Sequence, residues 1–131
     1  MSIINFSANF ANCYTEYNVP IIGIGDDPEE PEHYIIISQF IDKDESIDET
    51  IGLQGHFFDG EVSNAIKKIE LKREQILIDI KEDKIKKTGT SRVDINLHIT
   101  KEQFALLISY IQDIFSQSNT LIKMVDQGKI T

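Results

Sequence analysis

The chain has 131 residues, 22 acids against 13 bases, one cysteine and no tryptophan, a length that predicts one domain over residues 1–131 with a single core. Hydrophobic residues make up 40% and charged ones 27%, too apolar for a disordered chain, and no apolar run approaches the roughly 18 residues of a membrane span. The net charge of −9 repels nucleic-acid backbones and anionic membranes, Cys13 alone makes no internal disulfide, and no basic residue precedes Lys43 to form the charged start of a secretory leader, so a cytoplasmic protein is expected.

Residues 1–18 read as irregular or weakly extended. Val19 to Ile24 reads as a strand, with Pro20 placing it at a sheet edge or a strand start. Gly25 to Pro31 holds two prolines and four acids and is a loop. His33 to Ile41 carries the continuous run Tyr34-Ile35-Ile36-Ile37, which predicts a central strand covered on both faces. Ile51 to Asp59 is expected to pair with it across an acidic connection, Asp42 to Thr50.

The second half is more regular. Ala65 to Leu71 and Gln75 to Lys81 form a hairpin about Lys72-Arg73-Glu74, and the lysine-rich stretch Glu82 to Ser91 reads as an exposed loop. Arg92 to Ile99 alternates Val93, Ile95, Leu97 and Ile99 with polar residues, the pattern of a half-buried strand. Thr100 and Gln103 form a capping box. The stripe Phe104, Leu107, Ile108, Ile111 and Phe115 then predicts a helix closing over the 92–99 strand. Continued through Ile122 and Val125 to Gly128 it would span roughly 40 Å, so a break is expected near Ser116 to Asn119. The fold class is α+β: a mostly antiparallel sheet of about five to six strands covered by one main C-terminal helix.

Catalytic constellations are weak. The three imidazoles, His33, His56 and His98, lack zinc spacing, and no Gly-x-Ser-x-Gly, His-Glu-x-x-His or Cys-x-x-Cys occurs. Gly23-Ile24-Gly25 lacks the third glycine of a phosphate cradle, and Asp26 and Asp27 follow where phosphate would sit. Asp42, Asp44, Ser46 and Asp48 alternate as in a calcium loop, but Ile47 stands where glycine is needed and Leu53 where a bidentate carboxylate is needed. No catalytic residue, metal or cofactor is expected.

Charge is the informative feature. Asp26, Asp27, Glu29, Glu30, Glu32, Asp42, Asp44, Glu45, Asp48 and Glu49 face Lys43 alone between residues 26 and 49, a net of −9, while the rest balances at twelve acids and twelve bases. Aromatic residues Tyr34, Phe40, Phe57 and Phe58 are interleaved with these acids. An acidic rim around an apolar patch suits a basic protein partner, in which charge steers the encounter and apolar contact holds it. The ten acids, with Phe57 or Phe58 as anchor, are the candidate binding residues. Because neighbours on a strand face opposite ways, at least one of those two phenylalanines is expected in the core.

The stretches His33-Tyr-Ile-Ile-Ile-Ser-Gln, Asp48 with Ile51-Gly-Leu-Gln-Gly-His-Phe-Phe, and Ile69-Glu-Leu-Lys-Arg-Glu-Gln-Ile-Leu-Ile resemble the Immunity protein 10 family of bacterial polymorphic toxin systems. The likeness runs from about residue 33 to 115. Gly52, Phe57, Phe58 and Asp59 occupy the places of that family's glycine, aromatic pair and acid, whereas Ser63-Asn64-Ala65 stands where it has a Gly-Gly segment. The resemblance implies a cytoplasmic inhibitor, not an enzyme, that binds one cognate toxin domain. A basic nuclease such as an RNase fits the charge, since such enzymes need cationic clefts for phosphates. The competing readings are an acidic adaptor or nucleic-acid mimic bound to another basic protein, and a small hydrolase with paired carboxylates.

Overall fold

Alternating side chains build ten strands in the computed structural model, which describes residues 3–125. They form two five-stranded sheets. In spatial order, sheet A contains β1 (Ile3–Ala8), β9 (Arg92–Leu97), β8 (Gln75–Ile80), β7 (Ile66–Lys72) and β10 (Leu121–Met124). Sheet B contains β2 (Phe10–Glu16), β3 (Val19–Gly25), β4 (Tyr34–Gln39), β5 (Ile51–Gly55) and β6 (Val62–Ser63) in chain order. Sheet B is antiparallel throughout, while in sheet A the edge strands β1 and β10 pair parallel with β9 and β7. The class is α+β as the sequence predicts, but the strands number ten in two sheets, against an expected five to six in one.

Two of the extra strands come from residues read as irregular or weakly extended. In β1, Phe6 and Ala8 are buried while Ile3, Asn5 and Ser7 are exposed; in β2, Ala11 and Cys13 are buried and Asn12 and Tyr14 exposed. This is period-two burial carried largely by small side chains. The chain crosses between the sheets at Asn9, whose backbone N–H donates to the Gly25 carbonyl at 2.9 Å. It crosses back at Asn64, where φ is +55°, a left-handed conformation that asparagine tolerates better than most residues.

One helix covers this framework. α3 (Lys101–Ile114) starts at the predicted capping box: the Gln103 N–H donates to the Thr100 hydroxyl at 3.0 Å, and the Gln103 amide oxygen accepts from the Thr100 N–H. Phe104, Leu107, Ile111 and Ile114 are its buried stripe. It packs chiefly on β2 and β3, not on the 92–99 strand. Ala11 and Cys13 explain the choice, since small side chains let a helix approach, and the Tyr110 hydroxyl reaches the Thr15 hydroxyl at 3.0 Å on the same face of β2. The helix breaks after Ile114, as expected, but the chain then enters the strand β10 instead of a second helical segment; Gly128 lies outside the described residues.

Other expectations shift for local reasons. Glu82 to Ser91 is not simply an exposed loop: a 3-10 turn (Glu82–Lys84) and the short helix α2 (Ile85–Thr88) end at Gly89 with φ +76°, and Thr88 and Thr90 are fully buried. β4 is buried on one face only, through Ile35 and Ile37, while Tyr34 and Ile36 stay half-buried on the other. β3 lies between β2 and β4, so Pro20 marks a strand start; it faces Thr15, and pairing with β4 begins one residue later. The inner faces of both sheets and the α3 stripe share one core.

Candidate functional site

The acids nominated from sequence surround sheet B. Residues 10–63 contain thirteen acids and Lys43 alone, a net of −12, leaving nine acids and twelve bases, +3, for the rest of the chain. The two acidic loops leave β4 from opposite ends: residues 26–33 precede it and residues 40–46 follow it. Six residues of strand set them roughly 20 Å apart. Negative charge therefore brackets sheet B instead of forming one cluster.

Three of the ten acids hydrogen-bond to other side chains. The Asp48 carboxylate accepts from the Ser118 hydroxyl and, at 3.0 Å, from the Asn119 side-chain amide, tying the short helix α1 (Ile47–Thr50) to the turn before β10. Glu49 accepts from the Asn64 amide at 3.1 Å and the Ser63 hydroxyl at 3.2 Å. Asp26 closes its own loop. One oxygen accepts the N–H groups of Glu32 and His33 at 3.0 and 3.3 Å, and the other meets His33 Nδ1 at 2.8 Å. Asp27 and Asp42 each use one oxygen to hold a turn. Glu29, Glu30, Glu32, Asp44 and Glu45 are exposed, and their carboxylates have no partner among the described residues.

Apolar side chains besides the expected pair also stand beside these acids. Phe57 and Phe58 are half-buried, in edge contact with each other at 5.0 Å between centroids, and pack against the core; the Phe57 ring lies over Gly55. At the 40–46 end, by contrast, Phe40, Ile41 and Ile47 are exposed and line a concavity of about 280 Å³ with Asp42, Lys43 and Asn18. Tyr17 stands next to them at the β2–β3 turn and is 91% exposed. Tyr17 and Asn18 both have positive φ, 52° and 66°, as a two-residue type I′ hairpin requires. A bulky aromatic in the first of these positions is strained. Sequence reading misses Tyr17 because residues 1–18 read as irregular; the signal is an aromatic in a tight turn.

Tyr17→Asn separates strain from contact. It should raise the free energy of unfolding by about 1 kcal/mol, because asparagine adopts this conformation at lower cost. It should also weaken association with a partner that uses this end. Denaturant melts and a binding titration on the same variant check both signs, and a destabilised variant would remove the strain argument.

His33 and His56 form a second cluster that their sequence separation hides. The rings meet edge to face at 4.9 Å, and Phe6 lies 5.9 and 5.4 Å from them. His56 Nδ1 lies 2.9 Å from the Tyr34 N–H nitrogen, placed to accept from it, and 3.3 Å from the Tyr34 carbonyl oxygen. Asp26–His33 resembles an acid–base pair, but among the described residues no hydroxyl or thiol hydrogen-bonds to either ring. Cys13 lies on the inner face of β2, where burial pushes its thiol up to about 12 and keeps it from acting as a nucleophile. No group of three metal-ligating side chains occurs among the described residues. A wider cleft of about 650 Å³ is lined by two carboxylates, Asp79 and Glu82, and Asp79 is paired with Arg92 at 2.6 Å.

The hydrogen bond from His33, helped by the two backbone N–H groups, holds the Asp26 carboxyl below the usual carboxylate range. A depressed folded value means the tie is fully present above the unfolded value and is lost as pH falls through the folded one. The amides of Glu32 and His33 should therefore lose exchange protection only below the range where ordinary carboxylates titrate. Loss at the ordinary range would show that the tie does not hold the loop.

No helix among the described residues is long and apolar enough to cross a membrane. Comparison with protein-family models finds no match for the chain, and comparison with curated proteins finds no significant one.

Proposed function

We propose that the chain is an immunity protein that binds and neutralises a cognate bacterial toxin domain, a basic nuclease such as an RNase, by occluding its active site. The observation that carries this reading is the segregation of charge: −12 on sheet B and its loops against +3 elsewhere. A cleft that binds phosphates presents cations, and a surface of this sign competes for them. Exposed Tyr17, Phe40 and Ile41 beside Asp42, Asp44 and Glu45 add the apolar contact that charge alone lacks. The resemblance of residues 33–115 to the Immunity protein 10 family points the same way.

Co-expression with the toxin encoded by the adjacent open reading frame tests the proposal. Growth should be restored, and the two proteins should co-purify as a complex whose association slows with salt. Continued toxicity in the presence of folded protein would reject neutralisation. Recovery of other basic proteins in place of the toxin would favour the acidic-adaptor reading.

A further inference from the structure

We propose that the outer face of sheet B receives a cationic segment of a protein partner, which lays one apolar side chain into a trough floored by Gly23. The inference deepens the toxin-binding reading and rests on it for the partner's identity. The inward Ala11, Cys13, Ile22, Ile24, Ile35 and Ile37 of β2, β3 and β4 are buried in the core; outward lie Phe10, Asn12, Tyr14, Ile21, Tyr34 and Ile36, set around Gly23. They line a trough of about 380 Å³.

Three glycines lie on this face, and two are already covered. The Phe10 ring sits over Gly25, where an added Cβ would meet it at 3.1 Å, and the Glu61 side chain fills the space over Gly52. Gly23 is open. A Cβ there would meet only the Asn12 carbonyl oxygen at 3.7 Å, and its φ is not positive, so neither crowding nor backbone conformation requires glycine. Glycine inside a central strand weakens it, and its remaining use is to leave room for an approaching group.

Charge decides the occupant. The trough lies between the 26–33 and 40–46 loops, with Pro31 of the first in its wall, and the surrounding half of the chain carries −12. A second copy presenting the same face would be repelled, as would a nucleic acid. A protein segment with lysine or arginine on both sides of one aliphatic or aromatic side chain matches charge and shape together.

The probe is a synthetic peptide with lysines at both ends and a central leucine, titrated into the isotope-labelled protein and followed by amide shifts. Shifts should centre on Asn12, Gly23 and Ile36. Replacing the leucine with serine, or Gly23→Val in the protein, should weaken binding about tenfold. Gly23→Val should melt at or above the parent temperature, since valine favours a strand; should it fail to fold, Ile36→Ser on the trough wall gives the same readout. Shifts confined to the two loops, equal binding by both peptides, or parent-like binding by Gly23→Val would each overturn the trough. Gly23→Val that still protects against the toxin as the parent does would overturn it while leaving neutralisation intact. A parent chain that binds the peptide at Gly23 but gives no protection would instead reject neutralisation and keep the trough.

Discussion

Ile95→Ala should lower the free energy of unfolding by about 2–5 kcal/mol, and Phe104→Ala by about 3–5 kcal/mol. Ile95 is fully buried in the middle of β9, paired on one side with Ile76 of β8 and on the other with Phe6 of β1. No exposed rim is available for neighbours to relax into, so truncation leaves a cavity. Phe104 opens the buried stripe of α3, is 3% exposed, and carries the Arg73 guanidinium 5.0 Å above its ring. Its loss removes both the packing and the cation contact. Equilibrium denaturation with an unchanged denaturant slope would record both losses. Two variants that unfold like the parent would mean that these sites are not core and that the sheet–helix layering is wrong.

Asp44→Lys with Glu45→Lys should slow association with a basic partner about tenfold or more and flatten its salt dependence. Stability should hold or rise slightly, because neither carboxylate has a partner among the described residues and like-charge repulsion is relieved. Asp42 is left in place because its carboxylate accepts the Asp44 N–H at 2.9 Å and shapes the turn. The control is Glu82→Lys with Asp83→Lys, two exposed acids outside sheet B, which changes the total charge equally. If steering depends on where charge sits, only the first pair slows binding. Equal slowing by both pairs would reduce the effect to net charge, and parent-like kinetics for Asp44 and Glu45 would remove the 40–46 loop from the interface.

The elements legible in the sequence are β3 and the β4–β5 pair from their apolar runs, the β7–β8 hairpin and β9 from alternation of large with polar side chains, and α3 from its cap and stripe. The β1 and β2 strands are hidden because their buried positions include Ala8, Ala11 and Cys13, too small to mark a face. The same smallness sends α3 to β2 and β3, and helical periodicity shows which side of a helix is apolar but not what it covers. The run Ile35-Ile36-Ile37 suggests burial on both faces, whereas Ile36 borders the open trough. At the candidate site the acids are plain to read. Their uses are not, because the partners of Asp48 lie 70 and 71 residues away in the chain. Phe57 and Phe58 resemble anchors by their company, and the turn after β5 folds them against the core while leaving both half-buried.

The partition of charge between the sheets also makes the molecule a dipole. A cation approaching from any side exerts a torque that turns the negative sheet B forward and the slightly positive sheet A away before the surfaces touch. Rotational search is thereby shortened as well as translational search, so a wrongly oriented encounter corrects itself within about one screening length, about 8 Å at physiological salt. Added salt should remove this alignment first, so association with a basic partner should fall faster than the net charge alone predicts.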